Sequence, residues 1–249
     1  EKINKLYWFV KSNTVDGIVE FSINDNNTPF LVFVDTKANT AGAVLKFPDS
    51  IITGINIVDN LLFWTDNENE PRKINIDRCK EGTSGTNIAT ASHTKLVVDG
   101  EDLGDIKEEH IVVIRKKPTK APTYKINTSP PITALTNNQS LFQKVFPRFS
   151  CRYKYKDGEY SAFGPFTDVV FSSMFPDGYD QNTLFTPKDP HNVAMANYIE
   201  SIELSDFITV DIPEDVIQID ILYKQEDSST VYSIDSIKRT DEAWDLDGS

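Results

Sequence analysis

The stretch ITGINIVDNLLFWTDNENEPRKINIDR, residues 52–78, decides the fold class. Three short apolar runs, 51–58, 61–66 and 73–77, are divided by Asp59-Asn60 and by the polar DNENEP segment. Asp and Asn favour tight turns because their short side chains bond nearby backbone. Apolar runs of this length, bounded by such turns, read as β-strands. Before them, 5–11 (KLYWFVK), 17–23 (GIVEFSI), Pro29–Asp35 and 43–47 read the same way. In 17–23 apolar and polar residues alternate, the pattern of a half-buried strand.

Strands recurring every 8–12 residues point to a sandwich, a barrel or a propeller. The 52–78 unit resembles a blade of a YWTD-like β-propeller. That likeness implies that Trp64 fills the space between blades and that Asp66 accepts backbone N–H groups in the next turn. Residues 5–23, with Tyr7-Trp8 on a strand and Asp16-Gly17 in a turn, read as an approximate equivalent. Blades take about 40–45 residues and four to eight close a ring, so residues 1–78 hold two at most.

Further along, 79–106 reads as a loop-like insertion with one weak strand at Lys95–Val98, and 109–115 (EHIVVIR) as a strand. Four prolines between 118 and 131 mark an extended linker. The chain then restarts as β. In 147–156 (PRFSCRYKYK), alternation puts Arg152, Lys154 and Lys156 on one face and Tyr153 and Tyr155 towards the core. Asp157-Gly158 is a hairpin signal, with strands expected at 159–163 and 167–172. The segment 152–166 resembles strands of fibronectin-III or immunoglobulin-like modules. Residues 173–190 read as a loop, and 192–202 as a short helix or, towards 199–207, a strand. Val216–Gln225 and 231–238 read as a hairpin. The expected organisation is all-β: a partial β-propeller-like region over 1–117 with the insertion 79–106, a Pro-rich linker 118–145, a β-sandwich over 146–240 and an exposed acidic tail 241–249.

The net charge of −13 argues against a general nucleic-acid binder. Its distribution is uneven. Residues 107–156 carry eleven Lys/Arg against two Glu, whereas 196–249 carry fourteen Asp/Glu against three Lys/Arg. A chain so polarised can dock on copies of itself or on charged neighbours. No stretch approaches the ~20 apolar residues of a membrane helix. The chain opens with neither Met nor a signal peptide, which suggests a fragment or a processed product. Cys79 and Cys151, in unrelated contexts, read as free thiols of a reducing cytosol.

Catalytic patterns do not emerge. His93, His110 and His191 lie far apart without ligand spacing. The turn 66–70 lacks the order and distal Glu of a calcium loop, leaving turn capping as its expected role. There is no GxSxG elbow, EGTSGT at 81–86 lacks a phosphate-loop ending, and the pairs Glu108-Glu109 and Glu214-Asp215 are ordinary among 38 acids. Cys151 beside Arg152 reads as a core cysteine. The RYKYK run would suit single strands only if its tyrosines faced outward. The expectation is therefore a non-enzyme without catalytic, cofactor or metal residues. Its structural and interface candidates are Trp64, Asp66, Arg152, Lys154 and Lys156.

Taken together, DNLLFWTDNENEPRKINIDR, EHIVVIRKKPTKAPT and FPRFSCRYKYKDGEYSAFGPF look like the tail nozzle, or muzzle (stabilisation), proteins of crAss-like short-tailed phages, over roughly residues 50–240. The resemblance implies a virion structural protein, made in the host cytoplasm and located in the tail. Such proteins combine a propeller with sandwich-like domains and are much longer than this chain. The likeness further implies a ring homo-oligomer, put at six copies, below the portal. Its partners would be portal, ring or tail-hub proteins and, transiently, the ejected genomic DNA, with no membrane. On this reading the acidic face of 196–249 lines a lumen or meets a basic neighbour, and the basic stretch 107–156 makes subunit contacts. The alternatives are an extracellular carbohydrate- or protein-binding adhesion module and a tail-associated hydrolase.

Overall fold

The computed structural model describes residues 4–22, 28–49, 51–128, 142, 145–172, 197 and 199–247, with side chains to 244. Two units divide the chain: Glu1–Arg115 with Pro213–Asp215, and Lys116–Ile212 with Val216–Ser249. The boundary thus falls at 115/116, and three residues from late in the chain return to the first unit.

In the first unit, β1 (Lys5–Val10), β2 (Asp16–Ser22) and β3 (Pro29–Asp35) form one antiparallel sheet with β2 in the centre. The expected half-buried β2 is buried on both faces. Its Glu20 is only 2% exposed and is met by Tyr7 Oη at 2.6 Å, Lys80 at 2.7 Å and Lys5 at 3.1 Å. Burial pushes the Glu20 carboxyl up, but the bonds from Lys80, Tyr7 and Lys5 hold it below its ordinary value. A polar residue on the alternating face is here a buried, fully compensated anion.

The stretch that decided the fold class forms β4 (Gly54–Val58), β5 (Leu61–Thr65) and β6 (Arg72–Asn75), another antiparallel sheet. Leu62 and Trp64 of β5 are buried while Leu61 and Phe63 are half-buried. Leu62, Trp64 and Ile74 share one core with Ile18, Val32, Phe33 and Leu45. After β6 the expected strand gives way to α1 (Ile76–Glu81). The Asn75 side chain accepts from Arg78 N and Asp77 sits in the first turn, both favouring a helix start.

The insertion 79–106 is more ordered than a loop. It holds a hairpin of β7 (Lys95–Val98) and β8 (Glu101–Asp105), turned by Asp99 and Gly100 at φ 54° and 82°. That pair of left-handed residues suits the twist of a two-residue hairpin. The expected strand 109–115 is instead a 3-10 turn at Glu108–His110 followed by one isolated bridge, Val112 to Arg72. Residues 43–47 are not a strand either, because Asp35 captures their backbone. Its Oδ2 accepts from Val44 N at 2.6 Å and Leu45 N at 2.9 Å, while Oδ1 accepts from Lys37 N at 2.9 Å.

In the second unit β9 (Thr123–Thr128) pairs with β11 (Ile199–Ser205). A strand therefore lies inside the expected Pro-rich linker. β10 (Pro147–Tyr155), β12 (Val216–Gln225) and β13 (Tyr232–Lys238) form a sheet with β12 central. Tyr153 and Tyr155 of β10 are buried among Ile219, Ile221 and Ile237. Burial pushes the Tyr153 phenol up to about 12. The tail forms α2 (Glu242–Asp247), and its Trp244 joins that core beneath Arg239.

The strands expected at 159–163 and 167–172 are replaced by a segment with a period of three. Ser161, Gly164, Thr167 and Val170 donate their N–H groups to the carbonyls of Tyr153, Cys151, Phe149 and Pro147. The hydroxyls of Ser161 and Thr167 accept the N–H groups of Tyr153 and Phe149, so side chains complete the edge of β10. A Cβ at Gly164 would lie 2.8 Å from Pro118 and 3.1 Å from Cys151 O, which fixes glycine there. Gly158, at φ 83°, closes the turn after β10.

Among the described residues, then, the protein is mostly β-strands in small antiparallel sheets with few helices, an all-β fold in which no sheet closes. The expected loop 173–190, the helix or strand over 192–198 apart from Asn197, and His191 lie outside the described residues.

Candidate functional site

Trp64 is 2% exposed and meets Phe9 edge-on at 5.6 Å and Phe47 at 6.3 Å between ring centres. Asp66 accepts from Glu68 N at 3.0 Å, Asn69 N at 2.7 Å and Asn69 Nδ2 at 2.9 Å. Burial raises its carboxyl, and the Asn69 and Glu68 bonds bring it below its ordinary value. Next to it Arg72, 1% exposed, donates to Val44 O and pairs with Glu108 at 2.7 Å. Trp64 and Asp66 thus close the end of β5: the ring fills the core and the carboxylate ties down the turn.

The charge polarity of the sequence is largely consumed within the fold. Six of the eleven Lys/Arg of 107–156 pair with acids from 203–226. Lys107 meets Glu214 and Arg115 meets Asp215; Lys116 meets Asp211 and Lys125 meets Glu203; Arg148 meets Glu226 and Arg152 meets Asp220. Among these residues, oppositely charged stretches of one chain neutralise each other, Lys125–Glu203 and Arg152–Asp220 across neighbouring strands and Lys107, Arg115 and Lys116 through the segment 211–215.

One face of β10 gathers cations and aromatic rings. Arg152 pairs with Asp220 at 2.9 Å and stacks on Tyr160, its guanidinium carbon 4.0 Å from the ring centre, with Phe163 at 5.9 Å. Asp220 also accepts from Gln218 and Ser236; burial pushes its carboxyl up, but these bonds and Arg152 keep it below its ordinary value. Lys154 Nζ lies 5.5 Å from the Tyr160 ring and Lys224 Nζ 5.3 Å from Phe166. Tyr160, Phe163 and Phe166 each precede a residue whose N–H is bonded to β10, so the period of three places all three rings along the same edge. Arg152 and Lys154 share the face expected of them; Lys156 follows the end of β10 and is half-buried in the turn. A planar, weakly hydrated guanidinium stacks well on aromatic faces, and rings bearing cations suit recognition of acidic groups. The sequence reading missed these aromatics because it assigned them to strands with period two.

A second cluster joins residues far apart in sequence. Glu109, His110 and Glu214 bring ligand atoms within 4.8 Å of one another, the one group of possible metal ligands among the described residues. His110 Nδ1 accepts the Lys107 N–H at 3.0 Å. The neutral ring therefore carries its proton on Nε2, which donates to Glu214 Oε2 at 3.1 Å. A metal at Nε2 would have to displace that proton, so the residues fit a hydrogen-bonded clasp better than a metal centre. Burial lowers the His110 pKa, against the raising effect of Asp215, Glu214 and Glu109. His93 is likewise committed: Nδ1 accepts from Thr36 N and Nε2 meets Ile106 O at 3.1 Å. It borders an open cleft of about 390 Å³ with Thr83, Ser92, Lys95 and Asp102, where Lys95 is already paired with Asp105. Cys79 and Cys151 are both buried.

With this geometry in hand, a scan against protein-family models finds no match, and searches of curated proteins and of solved structures find none either.

Proposed function

We propose that this chain is a structural module of a phage tail nozzle, a virion component rather than an enzyme. It assembles with copies of itself and with portal, ring or tail-hub neighbours around the path of the ejected genome. The first unit would contribute part of a propeller and the second a sandwich-like domain. The observation that carries the reading is the Arg152 face: a half-buried cation stacked on partly exposed aromatic rings and braced by a buried carboxylate, composed like a protein–protein contact. The sequence resemblance over 50–240 supplies the class of assembly. Its motifs fall on β5 and β6, and on β10 and the segment paired to it.

Mass spectrometry of purified particles, with antibody labelling of the tail vertex in micrographs, tests the reading. Peptides of this chain should be recovered at several copies per particle and the label should sit at the tail. A chain absent from purified particles would end it.

A further inference from the structure

We propose that the Arg152 face of one copy receives the β7–β8 hairpin tip of a second copy, in a head-to-tail contact; this rests on the assembly reading above. The two surfaces are complementary in charge and in shape of chemistry. On the receiving face Lys154 and Lys224 lie over aromatic rings and make no ion pair with any described carboxylate. Tyr160 and Phe163 remain 43% and 40% exposed. On the hairpin, residues 99–103 (DGEDL) are all exposed, Glu101 and Asp102 form no ion pair among the described residues, and Leu103 is 37% exposed beside them. Two carboxylates and an apolar side chain thus meet two ammonium groups and an apolar ring cluster.

The turn holds this tip in one conformation. Asp99 and Gly100 fix the reversal with positive φ, and Asp102 Oδ1 accepts Gly104 N at 2.8 Å. Its ordering is settled before docking, which lowers the entropic cost of binding. The same face is poorly suited to a phosphate backbone, since Asp220 and Glu226 sit among its cations and the chain as a whole carries −13. A contact between two different patches is heterologous, so every copy offers one free donor and one free acceptor. Such contacts close into a ring when the rotation divides a full turn. A five-residue tip is a small contact, weak for a pair and reinforced when a ring closes.

Sedimentation velocity on the 249-residue chain, at low and high salt, tests the contact with two charge reversals, K154E/K224E and E101K/D102K. Glu101 and Asp102 are exposed and Lys154 and Lys224 half-buried, and circular dichroism checks that the fold is kept. The wild-type chain should self-associate in a salt-sensitive way. Each reversal alone should weaken association about tenfold or more, by opposing like charges. A 1:1 mixture of the two variants should restore it, because each then presents the surface the other needs. The proposal is overturned if the wild-type chain stays monomeric, if either reversal leaves association unchanged, or if the mixture remains monomeric. Fluorescence anisotropy with an oligo-dT probe adds a further check: binding abolished by K154E/K224E would reassign the face to single-stranded nucleic acid. Recovery of the chain in particles is independent of all these outcomes, so the two readings fail separately.

Discussion

Replacing Asp215 with alanine should destabilise the first unit more than almost any other single change to a charged residue. The Arg115 and Asp215 side chains are 3% and 2% exposed and directly paired. Arg115 also donates to the carbonyls of Glu109 at 3.0 Å and His110 at 2.8 Å. Asp215→Ala takes the paired carboxylate away from a buried guanidinium. Removing one partner of a buried pair costs about 3–5 kcal/mol, whereas replacing both by apolar residues of similar volume is often neutral or favourable. The double variant R115M/D215L should therefore be far more stable than the sum of its single changes implies. Urea unfolding followed by tryptophan fluorescence measures this, because Trp8 and Trp64 report on the first unit. A W244F background removes the signal from the second. With a slope of about 1.5 kcal/mol per molar urea, D215A should move the midpoint down by about 2–3 M. A shift below ~0.5 M, or strict additivity of the two single changes, would refute the reasoning. It would mean that Pro213–Asp215 is not held in the first unit by this pair.

Three other outcomes follow from the same geometry. Trp64→Ala should cost the first unit about 3–5 kcal/mol by emptying the core space beside the Phe9–Phe47 pair, and Asp66→Ala about 1–3 kcal/mol by leaving turn N–H groups unpaired; thermal melts of both variants check the order. Tyr153, raised from 10 to about 12 in the fold, stabilises fully below pH 10, and that contribution is lost as pH rises towards 12. The loss is on the order of 2–3 kcal/mol, so Y153F should flatten the alkaline arm of a stability-versus-pH curve, and an unchanged arm would contradict the burial. Ellman's reagent should find Cys79 and Cys151 unreactive in the native protein and both reactive in denaturant; a native thiol that reacts within seconds would contradict their burial.

Strands were legible where one rule dominated. Pro29–Asp35 and Val216–Gln225 form as their apolar patterns suggest, the first as a continuous run of aromatic and aliphatic residues and the second by alternation. The reading failed where side chains take over the backbone's bonds. Asp35 draws the amides of Val44 and Leu45 out of strand pairing, Asn75 starts a helix inside an apolar run, and Ser161 and Thr167 replace ladder bonds along β10. None of these leaves a periodic trace. Proline density hid β9, whose strand begins only after Pro122. For the candidate site, the face of Arg152 and Lys154 was legible from alternation along β10. Its aromatic half was not, since a period of three in YSAFGPF looks like neither strand nor helix. The clasp of His110 with Glu214 spans 104 positions, and no local window could join them.

The return of Pro213–Asp215 to the first unit also constrains the order of events during synthesis. Arg115 leaves the ribosome 100 residues before its counter-charge. At about 5–20 residues per second, that gap is on the order of 5–20 seconds, whereas hairpins form within microseconds. The nascent first unit can build its sheets promptly, yet the Arg115–Asp215 pair forms only after most of the second unit has been translated. Its last contact is made by a segment that cannot arrive until the chain is nearly finished, so the halves of this protein mature together although each has its own core.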